Sequence, residues 1–558
     1  MSKKNSLVYV ALGGAGEIGM NMYLYGYGPE AKRRWIMVDA GVAFPDMDSS
    51  PGVDLITADP AFIAERAHAL DAIFITHAHE DHVGAVGRLF PQLNAPIYAR
   101  EFTAEIARGK MEEAGQDPAM VRTVGAWPEQ VEVGPFKVGF MPISHSVPES
   151  SALVIDTEAG RVLHTGDFKV DAAPQVGEPF DPDLIREISK DGILALVCDS
   201  TNVFSKQAGR SESTLVEPIT ELLRNQPGMV VATTFASNVA RLRTLALAGK
   251  AAGRSIVVIG RAMHRMIGAA RKTGLLTDFP DIVDVNDAAN LPAEHVLVLA
   301  SGSQGERRAA SAQLARGGYG ALEMKDGDTF LFSSKVIPGN EVTVAYVENQ
   351  LAMLGVDVVG DEGGLYHVSG HANRPDLQTM HDLVKPQFLI PMHGEYRHLR
   401  EHAKLGAAGG LTPVIAPNGT MVELTGNEPK VVDMIETGRR YVDGTVIYGA
   451  MDGIVRDRLR MALRGLLVVN VVFDEHNNVI GDAWVEAKGL FTDVDGNEAS
   501  LQAELENGIT KELERAKKKV RADDEAVERL VKQAASNRTN RMIGKKPEVM
   551  VMINRLED

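Results

Sequence analysis

The sequence predicts an α/β protein in which a strand-rich domain is interrupted by a parallel α/β insert and followed by a small α+β unit. Three observations predict this. Up to residue 204, short apolar runs keep ending in His or Asp. Between Met229 and Val359, strands alternate with helices, the pattern of a parallel sheet covered on both faces. From 461 onward the chain reads strand, turn, strand, two charged helices and strand.

The bulk properties agree with a folded, water-borne protein. The chain has 558 residues, enough for roughly three to four domains. Hydrophobic residues are 44% and charged residues 24%, ordinary values for globular chains. No run approaches the ~18 apolar residues of a membrane span, so no membrane association is expected. Met1 to Ser6 is followed by no secretory apolar core. Cys198 is the single cysteine, which precludes an intrachain disulfide. These features lead to a cytoplasmic expectation. The net charge of −17 argues weakly against a polyanionic partner. Binding needs only a local surface or a metal, and Arg261–Lys272 and Arg538–Lys546 are locally basic.

Taken in order, residues 7–12 read as a strand. The Gly14-Ala15-Gly16-Glu17-Ile18-Gly19 that follows matches a dinucleotide fingerprint, with Asp39 twenty positions after Gly19. That fingerprint must open a helix. Here strands around Met22–Tyr25 and Trp35–Asp39 follow instead, so the glycines are read as a turn in a meander. Asp39 ends a strand, where it can form a turn or brace a histidine ligand from behind. The apolar run Ala72-Ile73-Phe74-Ile75 leads into Thr76-His77-Ala78-His79-Glu80-Asp81-His82. His77 and His79 can point the same way from an extended segment, while Asp81 and His82 start a helix. A helix around Phe102–Ala114 and strands near Gln130–Met141 come next. His145, Asp167 and Asp199 each stand just past a strand. The insert is read as residues 205–378, with helices near 237–252, 261–273, 304–315 and 340–354. His367-Val368-Ser369-Gly370-His371 closes it. Another strand, from Gln387, ends in His393. The divisions are therefore 1–204 and 379–430 for the strand-rich domain, 205–378 for the insert, 431–460 for a linker, and 461–558 for the α+β unit.

Seven strand-end ligands suit two zinc ions. His77, His79 and His145 would hold one, Asp81, His82 and His393 the other, with Asp167 bridging. Such a pair polarises a phosphoryl oxygen and lowers the pKa of a bridging water.

His77-x-His79-x-Asp81-His82, with Asp39, His145 and Asp167, resembles the metallo-β-lactamase superfamily. The insert resembles the β-CASP domain of its nucleic-acid-processing branch, with Asp199, His371 and His393 in that branch's three motifs. Leu12–Gly19, Phe235–Asn238, Ser301–Glu306 and His367–His371 resemble the ribonuclease J family of bacteria. The resemblance implies a metallo-β-lactamase αββα sandwich, an inserted β-CASP domain and a small C-terminal α+β domain. It implies a zinc-dependent 5′→3′ exoribonuclease preferring 5′-monophosphorylated RNA, with endonuclease capacity, acting in RNA maturation and decay. Products would carry 5′-phosphate and 3′-hydroxyl ends. By the same resemblance, Ser237, His367, Val368, Ser369, Gly370 and His371 contact RNA phosphates. His371, near Asp199, is a candidate to protonate the leaving oxygen, and Asp81 belongs to the catalytic set. A homodimer or homotetramer, and RNA-decay or ribosome-associated partners, are implied too. Some relatives hold a structural Ca2+ near Arg440–Asp443, and none is assigned here. Two alternatives stand beside this reading. One is a related hydrolase acting on DNA or on a small ester or lactam, the latter disfavoured because the insert would roof the site. The other is a non-catalytic scaffold, which should lack ligands, whereas all seven are present.

Overall fold

The computed structural model describes residues 5–491 and 501–556. The chain divides into two compact units, residues 1–43 with 57–439, and residues 44–56 with 440–558.

The first unit contains a two-sheet sandwich. One sheet runs, in spatial order, Lys430–Met434, Thr420–Glu423, Ser6–Gly13, Met22–Gly28, Arg34–Val38, Leu70–Phe74, Ile97–Ala99 and Val121–Thr123. The other runs Gln130–Val133, Phe136–Pro142, Ser151–Thr157, Gly160–His164, Ala195–Asp199, Phe388–Met392 and Thr412–Pro413. Their facing sides share one core, built on Tyr9, Tyr25, Ile36 and Phe74 from the first and Phe140, Ile155, Val197 and Ile390 from the second. Both faces of the central strands are buried, which is why they read as continuous apolar runs. Helices Pro182–Ser189 and Arg374–Val384 cover the second sheet's outer face through Ile185, Ile188, Leu377 and Met380. The mixed α/β expectation is met.

The insert leaves after Ala195–Asp199 and returns at Phe388–Met392. These two strands pair in parallel, Ala195 against Phe388 through Asp199 against Met392. The excursion therefore leaves the sheet unbroken and delivers Asp199 and His393 side by side. The insert's six strands are all parallel, in the order Ile282–Val283, Ser255–Ile259, Val296–Ala300, Val230–Thr233, Thr329–Phe332 and Asp357–Val359. The helix expected from 304 spans only Ala310–Ala315, because the residues before it form a turn.

In the second unit, strands Trp484–Lys488, Leu466–Phe473 and Glu548–Arg555 form a sheet packed on Leu501–Arg515 and Asp524–Ile543. The start of the first of these helices, expected at 499, lies outside the described residues. The 431–460 stretch, read as a linker, carries strands and the helix Ile454–Arg464. Its strand Lys430–Met434 is exposed at every position, so the burial alternation that marks a strand is missing. Among the described residues no helix is long and apolar enough to cross a membrane.

Candidate metal centre

Each candidate ligand leaves the end of a strand or the loop just past one. After Leu70–Phe74 the chain continues through a bend at Ala78 to His79, then turns into the short helix Glu80–Val83. This presents His77 and His79 on one side, and Asp81 and His82 on the other. The turn needs room at Gly41, where a Cβ would stand 1.6 Å from the Asp81 carbonyl oxygen. His145 follows Phe136–Pro142, Asp167 follows Gly160–His164, and His393 follows Phe388–Met392 in a left-handed conformation (φ 50°).

Two groups of ligand atoms form. His77, His79, His145 and Asp167 place theirs within 4.8 Å of one another, as do Asp81, His82, Asp167 and His393. Asp167 belongs to both. In the first group His77 Nε2 and His145 Nε2 each stand 3.1 Å from His79 Nδ1. His145 donates its Nδ1 hydrogen to Gly370 O at 2.5 Å, which leaves Nε2 bare. In the second group His82 gives its Nδ1 hydrogen to Asp39 Oδ2 at 2.7 Å, turning Nε2 toward Asp167 Oδ2 at 3.2 Å. Asp39 also accepts from the Thr76 backbone at 2.8 Å and from Thr76 Oγ1 at 2.9 Å. Thr201 Oγ1 donates to Asp199 at 2.7 Å and accepts from His393 Nδ1 at 2.9 Å. That fixes His393 with Nε2 facing Asp81 Oδ2 at 3.1 Å.

The electrostatics sort the histidines. Burial pushes the pKa values of His77 and His145 well down, and that of His79 to about 4. These imidazoles stay neutral, with lone pairs available. Burial opposes protonation of His82 and His393 too, but Asp167 and its neighbouring carboxylates outweigh it and raise both, His393 to about 10. The carboxylates thus demand a cation, whether proton or metal. Asp167 Oδ1 is buried with no hydrogen bond. Converging imidazole nitrogens around it form a donor set that fits zinc.

The residues expected on the substrate side divide. His371 donates from Nδ1 to Asp199 Oδ2 at 2.8 Å and lies 3.8 Å from Asp167, so its Nε2 is free to face a substrate. Asp199, Asp167, His371 and His393 form one cluster. Gly370 touches His145, and a Cβ on it would sit 2.9 Å from that ring. Ser369 accepts from Asn202 at 2.7 Å. Val368 O accepts from Arg241, whose Nη1 also lies 3.3 Å from His367 Nδ1. Ser237 lies in the turn before helix Val239–Ala251, half-buried. Among the described residues no hydrogen bond joins its side chain to this loop.

Sequence reasoning missed Asn21. Tyr23 donates to its Oδ1 at 2.6 Å, so its amide points at Asp81 O and His82 Nε2, both at 3.0 Å. The only signal was a polar residue at the threshold of an apolar strand. A separate buried trio, Cys198, His381 and His402, also brings ligand-type atoms together. There His381 and His402 meet at 3.0 Å and His402 bonds Ser200, a neutral chain inside the core. The basic run Arg261–Lys272 is largely committed within the fold, with Arg265 on Glu113 at 2.6 Å and Lys272 on Glu105 at 2.7 Å.

Comparison with known proteins decides the family. A relative described as ribonuclease J from Sinorhizobium meliloti is 40% identical over 557 residues, covering 100% of this chain and 98% of its own. The chain belongs to the ribonuclease J family. Another member, from Mycolicibacterium smegmatis, is 35% identical over 87% of this chain and 86% of its own. Family models match in chain order. The metallo-beta-lactamase superfamily covers 16–185 and the ribonuclease J beta-CASP domain 227–351. The Zn-dependent metallo-hydrolase RNA specificity domain covers 365–417, and the ribonuclease J C-terminal domain 453–556. A crystal structure of an Enterococcus faecalis protein of unknown function shares the fold, with a TM-score of 0.52 and 15% identity over 75% of this chain and all of that one. The chain is a metal-dependent nuclease.

Proposed function

We propose that the chain is a two-zinc ribonuclease that removes nucleotides from the 5′ end of RNA, prefers a 5′-monophosphate, and also cuts internally. Its products carry 5′-phosphate and 3′-hydroxyl ends. The observation that carries this reading is Asp167, shared by two ligand groups and lying 3.8 Å from His371. His77, His79 and His145 would hold one zinc, and Asp81, His82 and His393 the other, with Asp167 between. When bound, such a pair supplies Lewis acidity and a water acidic enough to serve as nucleophile at neutral pH. The protein's own part is orientation and proton delivery. Asp39 and Thr201 fix the tautomers of His82 and His393. His371, steadied by Asp199, delivers a proton from Nε2 to the departing 3′ oxygen. The His367–His371 loop handles the phosphates, with Ser237 contributing from the insert. The match to an RNA specificity domain over 365–417 favours RNA over DNA. A homodimer or homotetramer is the proposed assembly.

The test is to measure zinc per chain and offer 5′-monophosphorylated RNA, 5′-triphosphorylated RNA and matched DNA. Mononucleotide release from the first substrate, abolished by His371→Ala and by chelation, is expected. Absence of zinc, or cleavage indifferent to His371, overturns the reading.

A further inference from the structure

The loop that carries His367–His371 is fastened from below by a buried cation that the reaction scheme above does not use. Arg241 lies in helix Val239–Ala251 of the insert and is fully buried. Its backbone N–H donates to the helix cap Asn238 at 2.9 Å, which sets the direction of the side chain. Nε and Nη2 form a fork on Glu212 at 2.6 and 2.9 Å. The remaining hydrogens go mainly to backbone carbonyls. Nη1 reaches Ser333 O at 2.7 Å and Tyr366 O at 3.3 Å, and Nη2 reaches Val368 O at 3.4 Å. Ser333 Oγ takes part too, accepting from Nη1 at 3.0 Å and donating to Tyr366 O at 2.7 Å.

Glu212 continues the chain of bonds toward the metal centre. Its N–H donates to Asp171 Oδ2 at 3.0 Å, and Lys169 Nζ pairs with the same oxygen at 2.8 Å. The Lys169 N–H donates to Ser144 O at 2.8 Å, next to His145, and His145 closes the circuit on Gly370 O. All six of these side chains, from Ser144 through Arg241, are buried. The loop thus has two sets of anchors. Its 369–371 half is held by Asn202, His145 and Asp199. Its 366–368 half is held by Arg241 and Ser333. A guanidinium suits that task because its planar donors reach two carbonyls and a carboxylate at once, which an ammonium cannot.

We infer that Arg241, locked by Glu212 and Ser333, is a positioning residue that sets the 366–368 half of the phosphate-handling loop. This rests on the ribonuclease reading. Because the acid His371 and the metal ligands have their own anchors, the predicted defect falls on RNA engagement and spares metal binding. Arg241→Lys should lower kcat/KM on RNA by about 10²-fold, the scale of a ~1 Å misplacement, with the loss carried by KM. Ser333→Ala removes one clasp without stranding a buried charge and should shift KM the same way, by less. The experiment uses the full chain and reads zinc content, thermal midpoint, kcat and KM on 5′-monophosphorylated RNA, and the rate on bis(p-nitrophenyl) phosphate. That small diester needs the metals and lacks the flanking nucleotides that the 366–368 half would engage. Folded variants with wild-type zinc, wild-type diester rate and a raised KM for RNA support the inference. Wild-type KM in both variants overturns it. A fall in zinc and diester rate parallel to the RNA rate also overturns it, since the role would then be general support of the fold. A wild-type chain that holds zinc and hydrolyses the diester but no RNA overturns the ribonuclease reading, and the inference with it.

Discussion

Asp39→Asn isolates orientation from coordination. Asp39 is fully buried at φ 62° and meets the candidate ligand His82 at Nδ1, at 2.7 Å, on the far side of the ring from the ligating Nε2. Asparagine keeps its shape and tolerates the left-handed conformation, so any effect comes from replacing one oxygen by NH2. With the remaining oxygen kept on the Thr76 backbone N–H, the amide hydrogens face Thr76 Oγ1 and the His82 Nδ1–H. Donor then meets donor. His82 relieves the clash only by moving its proton to Nε2, the nitrogen aimed at Asp167 and the second metal position. Loss of such an outer partner costs about 10–100-fold in metal affinity. That corresponds to about 1.4–2.7 kcal/mol. Titration against a fluorescent zinc chelator reads the affinity of each site, with urea unfolding run beside it. One of the two sites should weaken and the other hold. Equal zinc affinity at both sites in a folded Asp39→Asn chain refutes the argument that Asp39 sets the His82 tautomer.

Two other outcomes follow from the geometry. Gly41→Ala places a methyl carbon 1.6 Å from the Asp81 carbonyl oxygen, inside backbone that cannot step aside; an unfolding measurement should show a loss of about 3 kcal/mol or more, and a wild-type value would mean the loop is looser than described. Arg265→Glu reverses a partly exposed ion pair with Glu113 and Glu80; it should cost no more than about 1 kcal/mol, shrinking in high salt, and a salt-insensitive loss above that in urea unfolding would contradict a screened surface role.

The ligand set was legible because each member follows a short apolar run, and strand ends gather along one edge of a sandwich. His393 could be grouped with the others only because its strand repeats that arrangement; its pairing beside Ala195–Asp199 is a topological fact that no local pattern carries. The insert was legible from its period. Residues whose meaning lies in a distant partner were not. Asn21 matters through Asp81 and His82, and Arg241 through carbonyls 125 and 127 positions on. Ser237 carried the opposite risk: a family motif supplied its role, and among the described residues no hydrogen bond joins its side chain to the loop it was grouped with. The strands within 431–460 escaped notice because Lys430–Met434 is exposed at every position and Val446–Gly449 has a single buried residue, too little to print a period.

The net charge of −17 argues weakly against a polyanionic substrate, and the proposed metal pair bears on that objection. The most basic insert helix contributes little to that answer, since its Arg265 and Lys272 are bound to glutamates. Within the centre, Asp39, Asp81, Asp167 and Asp199 gather around the histidines and raise the pKa values of His82, His371 and His393 against the pull of burial. Carboxylates strong enough to do that repel a phosphodiester. The proposed pair of divalent cations at the two ligand groups would reverse the sign of the site, and a metal charge, unlike a spread of lysines, would act at the reacting phosphate. On this view metal loading is a condition for substrate binding as well as for the chemical step.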